Sequence, residues 1–459
     1  MKEGSFASLF LCQIDDSVCC IVLTFAPKSN ATMKKLNVLI LGGGGREHAI
    51  AWKLNQSEWM GGLFVAPGNG GTGFIATNLD IRETDFPAVK SAVIENAIDL
   101  IIVGPEAPLV KGVREFIESD VETENVRIVG PGRRGAQLEG SKAFSKEFMV
   151  KHGIPTAKYG QFTAKEIDKA KAFLHTMKPP YVLKADGLAG GKGVLILEDI
   201  VSAKAGLDEM LGGKFGAAGE VVVIEEFLDG IELSSFVLTD GKSHINLPSA
   251  KDYKRIGEGD TGLNTGGMGS ISPVPFADDE FLQRVDERIV KPTIEGLKKD
   301  GIDYNGFLFI GLMNVGGDPF VIEYNVRMGD PETESIMPRI ESDFLEVLWK
   351  CGGGELEGST ISISTQAVAS LMMVSGGYPE SYEKGKEIFG LTSITEALIF
   401  HAGTKMIYPS IETSGGRVLT VTSYGDSIKA ALDTSYREAN KISFDKMYYR
   451  KDLGFDLKS

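Results

Sequence analysis

The chain has 459 residues, 42% of them hydrophobic and 24% charged, which is typical of a globular protein with several domains. Its 63 acidic and 48 basic residues give a net charge of −15, so nucleic acid is not expected as the main partner. No apolar run approaches the ~18 residues that a membrane span needs, and the four cysteines show neither disulfide nor zinc-site spacing, which favours a cytoplasmic protein with small substrates.

The first 32 residues differ in character from the rest of the chain. Their short apolar run, residues 18–26, follows Asp15 and Asp16, whereas a signal peptide carries positive charge at that place. Met33 then opens "MKKLNVLIL", which is typical of a chain start followed by a first strand. We therefore expect residues 1–32 to be an extension that is disordered or lies upstream of the natural start.

Strands and helices alternate over residues 33–140. Short apolar runs predict buried strands at residues 38–41, 63–66, 100–103 and 127–129. Helical patterns lie between them at residues 48–56 and 88–96. The alternation predicts a parallel α/β sheet with right-handed crossovers.

The first of these strands runs into "GGGGREHA", residues 42–49. A dinucleotide fingerprint requires G-x-G-x-x-G and an acidic residue at the end of the second strand. Here Glu47 and His48 occupy the places of the third glycine, and the second strand ends in "FVAPGNGGT" without a carboxylate. The run instead predicts a site for one phosphate at a helix N-terminus beside Arg46, while a turn without any ligand stays the alternative.

A second domain is expected from Ser141 onward, over residues 141–350. "PYVLKADGLAGGKGVLILED" and "EVVVIEEFLDGIELSSFVLTDG" each look like two strands joined by a glycine turn, which is the pattern of an antiparallel sheet. "CGGGELEGST", residues 351–360, predicts a link to a third unit, residues 361–459, with several short strands. The predicted fold class is therefore α/β at the N-terminus and α+β afterwards.

A second glycine cluster lies at the tip of the first predicted strand pair. Gly187, Gly191, Lys192 and Gly193 resemble a P-loop, but three residues instead of four separate the glycines and a strand rather than a helix follows. Such a hairpin can close as a flap over nucleotide phosphates, with Lys192 as a mobile cation and Lys184 as a fixed one. A plain β-hairpin turn is the alternative.

An acidic segment follows the strand "VVVI". Glu225, Glu226, Phe227 and Leu228 come directly after it, and Glu232 stands a few residues further on. An extended segment of this kind can offer its backbone to an adenine edge while an acid accepts from the ribose hydroxyls. An edge strand with solvated glutamates would have the same sequence.

Hard oxygen donors occur in "FVIEYNVRMGDPETE". Glu323 and Asn325 are two residues apart, which in a strand places both side chains on one face. Magnesium bound together with nucleotide phosphates requires such a pair, and Arg327 would extend the same face by one more step. A solvated strand face is the alternative.

In this order, the motifs resemble the phosphoribosylamine-glycine ligase family of the ATP-grasp superfamily. The matching segments are "GGGGREHA", "PGNGGT", "GPEAPLVKG", "LEGSKAFSKEFM", "KADGLAGGKGV", "GEGDTG", "NTGGMG", "YNGFLFIGLM" and "NVRMGDPETE". They extend over essentially the whole chain from Met33. The resemblance implies an N-terminal Rossmann-like parallel sheet, a central ATP-grasp domain with a glycine-rich flap at about residues 155–228, and a small, mostly β C-terminal domain.

The resemblance also implies a reaction. A member of this family joins glycine to 5-phosphoribosylamine through a glycyl phosphate, and yields glycinamide ribonucleotide, ADP and phosphate in purine biosynthesis. ATP with Mg²⁺ or Mn²⁺ would be the cofactors, and glycine and 5-phosphoribosylamine the partners. Neither nucleic acid nor a membrane is expected as a partner, and the protein is expected to be a monomer or a homodimer in the cytoplasm.

Individual roles follow from the resemblance in the same way. The residues implied for ATP are Lys142, Lys184, Gly187, Gly190, Gly191, Gly193, Glu225, Glu226, Leu228 and Glu232. Those implied for the two substrates are Gly44, Gly45, Arg46, Glu47, Asn69, Gly70, Thr72, Asn264, Thr265, Gly266, Gly267 and Met268. Glu323 and Asn325 are implied as metal ligands, and Arg327, Lys192 and Asp252 as catalytic residues.

Three positions depart from the family pattern. Lys251 and Tyr253 stand where many relatives have Gln and His, and Glu334 stands where Gln is common, so the substrate contacts there stay open. The strand at residues 307–313 carries no carboxylate, which makes a second metal site doubtful. The rival functions are another ATP-grasp carboxylate–amine ligase, a dinucleotide-dependent dehydrogenase and a non-catalytic nucleotide-binding homologue.

Overall fold

The structure of the protein, a computed structural model, describes residues 34–188 and 193–457. The predicted extension, residues 1–32, and the predicted start at Met33 lie outside the described residues. So do Gly190, Gly191 and Lys192 at the tip of the predicted flap.

A five-stranded parallel sheet forms the N-terminal part, as the alternating pattern predicted. Its strands are β1 Leu36–Gly42, β2 Met60–Pro67, β3 Thr77–Asn78, β4 Leu100–Val103 and β5 Arg127–Val129, in the order β3-β2-β1-β4-β5. Its helices are α1 Gly45–Leu54, α2 Phe86–Glu95, α3 Glu106–Lys111, α4 Val113–Glu118 and α5 Gln137–Gly140. β1 lies in the middle because both of its faces are apolar: Val38 and Ile40 join one core cluster, and Leu39 and Leu41 join another.

A four-stranded antiparallel sheet follows helix α6 Lys142–Lys151. Its strands are β6 Tyr159–Thr163, β7 Tyr181–Ala185, β8 Val194–Leu197 and β9 Val221–Glu226, in the order β6-β9-β7-β8. Helices α7 Ile167–Leu174 and α8 Ile200–Glu209 pack on it through an apolar cluster that includes Leu183 and Leu207. This sheet therefore has a hydrophobic core of its own. The β7–β8 pair confirms that a strand precedes the second glycine cluster and that a strand follows it.

One predicted strand pair is wrong. The segment "EVVVIEEFLDGIELSSFVLTDG" contains two strands, but β9 belongs to the four-stranded sheet and the next strand, β10 Ile231–Thr239, belongs to a different one. The glycine and aspartate between them suit a hairpin turn locally. Each strand instead finds its partners far along the chain, so the segment crosses from one sheet to the other.

The largest sheet has eight strands and continues into the C-terminal part. The remaining strands are β11 His244–Asp252, β12 Arg255–Gly257, β13 Thr261–Asn264, β14 Gly269–Ser272, β15 Gly306–Val315, β16 Asp318–Asn325, β17 Ala367–Val374, β18 Leu398–His401, β19 Thr404–Ile407, β20 Ser410–Thr413 and β21 Arg417–Gly425. The sheet has the order β16-β15-β10-β11-β14-β17-β21-β18, while β12–β13 and β19–β20 form two-stranded ribbons. The pairing of β14 with β17 joins the central and C-terminal parts in one sheet.

Five further helices cover this sheet. They are α9 Asp279–Val285, α10 Lys291–Lys299, α11 Glu332–Ile336, α12 Phe344–Gly352 and α13 Ile428–Ala439. One apolar cluster contains Leu39 of β1 together with Leu308 and Ile310 of β15, so the N-terminal and central sheets share a core. Burial of this shared surface holds the two sheets together on either side of the site described next.

Candidate functional site

The predicted metal ligands lie at the end of β16. Alternation along the strand places Glu323 and Asn325 on one face, and Tyr324 points the other way into the apolar core. The strand ends at Asn325, so Arg327 lies beyond it and not one step further along its face as predicted. Arg327 Nη2 nevertheless donates to Asn325 Oδ1 at 3.1 Å. The three residues are therefore together, although a bend in the chain brings Arg327 in.

Glu323 is the electrostatic centre of this region. Burial alone would raise the pKa of its carboxyl, but four cations outweigh burial and lower it, namely Lys254, Lys184, Lys142 and Arg327. These cations come from four separate segments: the turn after β11, β7, α6 and the bend after β16. Glu323 is therefore ionised at neutral pH and surrounded by positive charge that suits a polyphosphate.

A lysine network lies at the base of the predicted flap. Lys184 Nζ and Lys146 Nζ each lie 3.0 Å from Glu225 Oε2, so one buried carboxylate holds two ammonium groups. Lys142 Nζ donates to Gly187 O at 3.4 Å, at the start of the flap tip. Burial lowers the pKa of Lys142, and lowers that of Lys146 to about 8. The structure thus brings the predicted Lys142, Lys184 and Glu225 together and adds Lys146.

The segment that crosses between the two sheets contains the residues predicted for adenosine. Glu226 Oε1 accepts from the amide of Lys158 at 2.8 Å, which fixes the end of β9. Leu228 lies in the connection between β9 and β10. Glu232, at the start of β10, forms an ion pair with Lys254. Their adenosine contacts stay predictions.

Asp252, predicted as catalytic, is the last residue of β11 and faces the same region. Burial raises the pKa of its carboxyl; Lys254 lowers it, and Glu232 raises it further. The net direction is upward, so Asp252 keeps its proton to a higher pH than an exposed aspartate does. A carboxylate whose pKa is raised in this way accepts a proton more readily than an exposed aspartate does.

The N-terminus of α1 is occupied by the protein's own acid. The Gly44 amide donates to Glu47 Oε2 at 2.6 Å, and Arg46 Nε donates to Glu47 Oε1 at 2.5 Å. Arg46 Nη1 also donates to Met328 O at 3.1 Å, which ties α1 to the segment after β16. Gly45 packs so closely on Glu334 that a Cβ there would lie 2.2 Å from Oε1. The predicted glycines therefore serve close packing first.

The loop after β2 is held by its own side chains. Asn69 Nδ2 donates to His401 O at 2.7 Å, and its Oδ1 accepts from the amides of Gly71 and Thr72. The amide of Gly70 donates to Thr404 O at 3.1 Å. These contacts give Asn69 and Thr72 a role in shaping the loop, and their contacts with a substrate stay predictions.

The loop at residues 264–268 meets an arginine that sequence reasoning missed. Arg417, on β21, donates from Nη1 to Gly266 O and to Asp330 O, both at 2.6 Å. Its Nη2 lies 3.1 Å from Asp330 Oδ1. Asp330 in turn lies against Gly44, where a Cβ would be 3.0 Å from Oδ2. Arg417 therefore joins the loop, the segment after β16 and the start of α1.

Two acids from the N-terminal part hold Arg327 and were also missed. Glu139 Oε1 lies 2.7 Å from Arg327 Nη2, and Glu106 Oε2 lies 3.6 Å from its Nε. The other oxygen of Glu139 accepts from the amide of Val326 at 2.8 Å. The guanidinium is therefore fixed from the domain opposite the one that carries it.

Two buried carboxyls complete the region. Glu332 accepts from Ser234 Oγ at 3.0 Å, and burial followed by repulsion from Asp252 raises its pKa to about 7. Glu334 is fully buried, and neither of its oxygens has a hydrogen-bond partner among the residues described. Burial, and then Asp330, raise the pKa of Glu334 well above the usual value.

Two features are absent from the described ranges, 34–188 and 193–457. Within them, His, Cys, Asp and Glu side chains nowhere gather in groups of three or more that could hold a metal ion. In the same part of the chain, every helix lacks the length or the apolar character needed to cross a bilayer.

Three consecutive parts of the chain match one family of enzymes. Residues 36–139 match the N domain of phosphoribosylglycinamide synthetase, residues 140–333 match its ATP-grasp (A) domain, and residues 368–456 match its C domain. The phosphoribosylamine–glycine ligase of Escherichia coli O157:H7 is 45% identical over 427 residues, which cover 92% of this chain and 98% of that protein. The enzyme of that name from Caldanaerobacter subterraneus subsp. tengcongensis is 43% identical over 419 residues, or 91% and 99%.

Solved structures agree with these matches. The crystal structure of the phosphoribosylamine–glycine ligase from Thermotoga maritima is 36% identical with a TM-score of 0.79, and covers 91% of this chain and 100% of that one. A biotin carboxylase from Campylobacter jejuni has a TM-score of 0.68 at 15% identity, and covers 90% and 93%. The second likeness shows a shared fold alone.

Proposed function

This chain belongs to the phosphoribosylamine–glycine ligase family and is an ATP-dependent ligase of purine biosynthesis, and we propose that its own residues carry out the reaction at the site around Glu323. The substrates proposed for it are glycine and 5-phosphoribosylamine. The rival dinucleotide-dependent dehydrogenase is excluded by this membership, and ATP use follows from the ATP-grasp domain.

The arrangement of four cations around Glu323 carries the proposal. Lys142 lies beside Gly187, at the end of β7 that carries Lys184, and both lysines act electrostatically on Glu323, so we place the ATP phosphates between them. Glu225 holds Lys184 in place by an ion pair of 3.0 Å, so the phosphates meet a cation that is already fixed. A non-catalytic homologue would have no need of this whole arrangement.

Glu323 and Asn325 fit a divalent metal bound together with nucleotide phosphates. Both offer a hard oxygen on one strand face, and Glu323 is ionised. Asn325 Nδ2 is buried and, among the described residues, lacks a hydrogen-bond partner, so this amide can donate to a phosphate oxygen of the nucleotide that would accompany the metal. When bound, Mg²⁺ or Mn²⁺ would neutralise phosphate charge and favour attack on the γ-phosphorus.

Adenosine is assigned to the crossing segment between β9 and β10. The backbone around Leu228 would meet the adenine edge, and Glu232 would accept from the ribose hydroxyls. Lys254 holds Glu232 by an ion pair, so the acid is charged and oriented before the nucleotide binds. The whole segment lies beside the sheet that carries Lys184.

The ribose phosphate is assigned to the place where three parts of the chain converge. The start of α1 with Arg46, the loop at residues 264–268, and Arg417 from β21 meet around Asp330. The two guanidinium groups, each fixed by an acid of the protein, would bind a phosphate monoester beside the start of α1, whose Gly44 amide already donates to Glu47. Because the site needs all three parts, the substrate would bind only to the complete protein.

The chemistry requires two displacements. A carboxylate oxygen of glycine attacks the γ-phosphorus of ATP, the bond to the bridging oxygen breaks, and ADP leaves. The amine of 5-phosphoribosylamine then attacks the acyl carbon of glycyl phosphate, phosphate leaves with the original carboxylate oxygen, and the amine loses one proton. Arg327, fixed by Glu139, would hold the glycine carboxylate, and Asp252 would take the proton.

Isotope transfer tests the proposed acyl phosphate directly. Glycine labelled with ¹⁸O in both carboxylate oxygens should deliver one labelled oxygen to inorganic phosphate for each glycinamide ribonucleotide formed, as measured by mass spectrometry. Glu323→Gln is the control, because its slow turnover should still transfer one label per product. Product formation with unlabelled phosphate would refute the proposal. The oligomeric state, monomer or homodimer, and the cytoplasmic location stay predictions.

A further inference from the structure

The last described part of the chain forms hydrogen bonds and ion pairs with the segment that follows β11. We call residues 448–456 the C-terminal clamp. Tyr448 OH donates to Ile256 O at 2.9 Å, and Arg450 Nη1 donates to Arg255 O at 3.2 Å and to Asp260 Oδ1 at 2.6 Å. Arg450 is completely buried in this contact. The clamp therefore fixes the β12–β13 ribbon.

Asp456 makes the contacts nearest to the site. Its Oδ2 lies 3.1 Å from Lys251 Nζ, and its Oδ1 accepts from Tyr253 OH at 2.9 Å. The Tyr253 oxygen also accepts from the amide of Gly454 at 2.9 Å. Tyr253 is 1% exposed and the Lys251 side chain 9% exposed, so both polar groups depend on the clamp for their partners.

Asp252 and Lys254 alternate with Lys251 and Tyr253 along the chain, and their side chains point away from the C-terminal clamp toward Glu232. Lys254 pairs with Glu232, and the pKa of Asp252 responds to both of them. Lys251 and Tyr253 thus contact the clamp while Asp252 and Lys254 contact the cleft, as the alternation of an extended chain requires. Because the clamp holds Lys251 and Tyr253, it also fixes the positions of Asp252 and Lys254.

The same segment also carries the neighbouring loop. Thr265 donates to Lys254 O from both its amide and its hydroxyl, each at 2.8 Å. The amide of Met268 donates to Tyr253 O at 2.7 Å. A shift of residues 252–254 would therefore move the loop at residues 264–268 as well.

We propose that Asp456 is a positioning residue for the ligase reaction, an inference that rests on the roles proposed above for Asp252 and Glu232. Without Asp456 the buried ammonium of Lys251 loses its only carboxylate contact among those the structure shows. Lys251 Nζ already lies 3.5 Å from Glu232 O and acts electrostatically on Asp252. Without Asp456, the Lys251 ammonium would turn toward Glu232 and Asp252 and compete with Lys254 for their charges.

The test compares Asp456→Asn with the wild-type enzyme in steady-state kinetics. Asp456→Asn should raise the KM for ATP about tenfold and lower kcat at least about threefold, because the displaced Lys251 disturbs both Glu232, assigned to the ribose, and Asp252, assigned to the proton transfer. The matched control is Asp433→Asn, since Asp433 accepts from Lys429 at 2.5 Å on the exposed face of α13. This control should leave both constants unchanged.

A double-mutant cycle separates positioning from general destabilisation. In a Lys251→Met background, which has no displaced cation, Asp456→Asn should change the KM values less than about twofold. An equal effect in both backgrounds, or wild-type KM values in Asp456→Asn, would overturn the inference. If the wild type forms no ADP from glycine and 5-phosphoribosylamine, the proposed function fails separately.

Calorimetric titration of ATP into wild type and Asp456→Asn still tests the clamp, with weaker binding expected for the variant and equal binding overturning it.

Discussion

Replacing Glu334 by glutamine should stabilise the protein at neutral and alkaline pH. Glu334 is fully buried on α11, and both carboxyl oxygens lack hydrogen-bond partners in the described part of the chain. Burial raises the pKa of this carboxyl well above 4.5, Asp330 raises it further, Arg417 lowers it, and Glu332 adds to the rise. Folded Glu334 therefore keeps its proton at pH values where the unfolded chain has lost it. Glutamine keeps the shape and has no proton to lose.

The size of the effect follows from linkage between protonation and folding. For a carboxyl whose folded pKa is raised, stability is complete below the unfolded pKa of about 4.5 and falls as pH rises toward the folded pKa. The loss is about 1.4 kcal/mol per pH unit, or about 2.8 kcal/mol over two units. With about 2.1 cal/mol/K of unfolding entropy per residue, a chain of this length changes its melting temperature by roughly 1 °C per kcal/mol.

Thermal unfolding of the two proteins side by side measures this difference. As the pH rises above about 5, Glu334→Gln should gain about 1 °C in melting temperature over the wild type per pH unit, until the pH reaches the folded pKa of Glu334. The charged groups that act on Glu334, namely Asp330, Arg417 and Glu332, are common to both proteins. A melting difference that stays constant with pH, or a wild type that is the more stable protein at high pH, would refute the reasoning.

Three further outcomes are expected. Glu323→Gln should lower kcat by about 10²–10³ and raise the magnesium concentration needed for half-maximal ADP release, because a charged metal ligand is lost. Arg417→Met should raise the KM for 5-phosphoribosylamine at least about tenfold while the KM for ATP stays the same, measured in the same assay. Leu207→Ala should cost about 2–5 kcal/mol of local stability, seen as faster hydrogen exchange in residues 159–226 and unchanged exchange in β1.

Local pattern was sufficient for much of the fold and part of the site. The strands β1, β2, β4 and β5 were predicted because short apolar runs between helical patterns have few other structures open to them. Glu323 and Asn325 were placed on one face because the period of a strand is two. The identification of the family from consecutive motifs is confirmed by the matching relatives.

What failed depends on contacts between distant segments. The sequence of residues 220–241 carries no local signal that β9 and β10 join different sheets. Its turn-like residues therefore predict a hairpin that the structure does not contain. Arg417 and Glu139 lie far along the chain from the groups that they hold. Glu139 belongs to the matching segment "LEGSKAFSKEFM", but nothing in that segment indicates Arg327 as its partner. Glu47, implied as a substrate contact, has a carboxylate that accepts from the Gly44 amide at the N-cap of α1, and its contact with a substrate stays a prediction. A Glu three residues after the N-cap could have signalled that cap.

The central claim is that this chain couples ATP cleavage to glycine and 5-phosphoribosylamine together. The most direct test measures ADP release with ATP, magnesium, glycine and freshly generated 5-phosphoribosylamine, and leaves out one component at a time. The account predicts rapid ADP release only with the complete mixture, with one glycinamide ribonucleotide formed for each ADP. Equal ADP release without both substrates, or with bicarbonate in place of glycine, would contradict it.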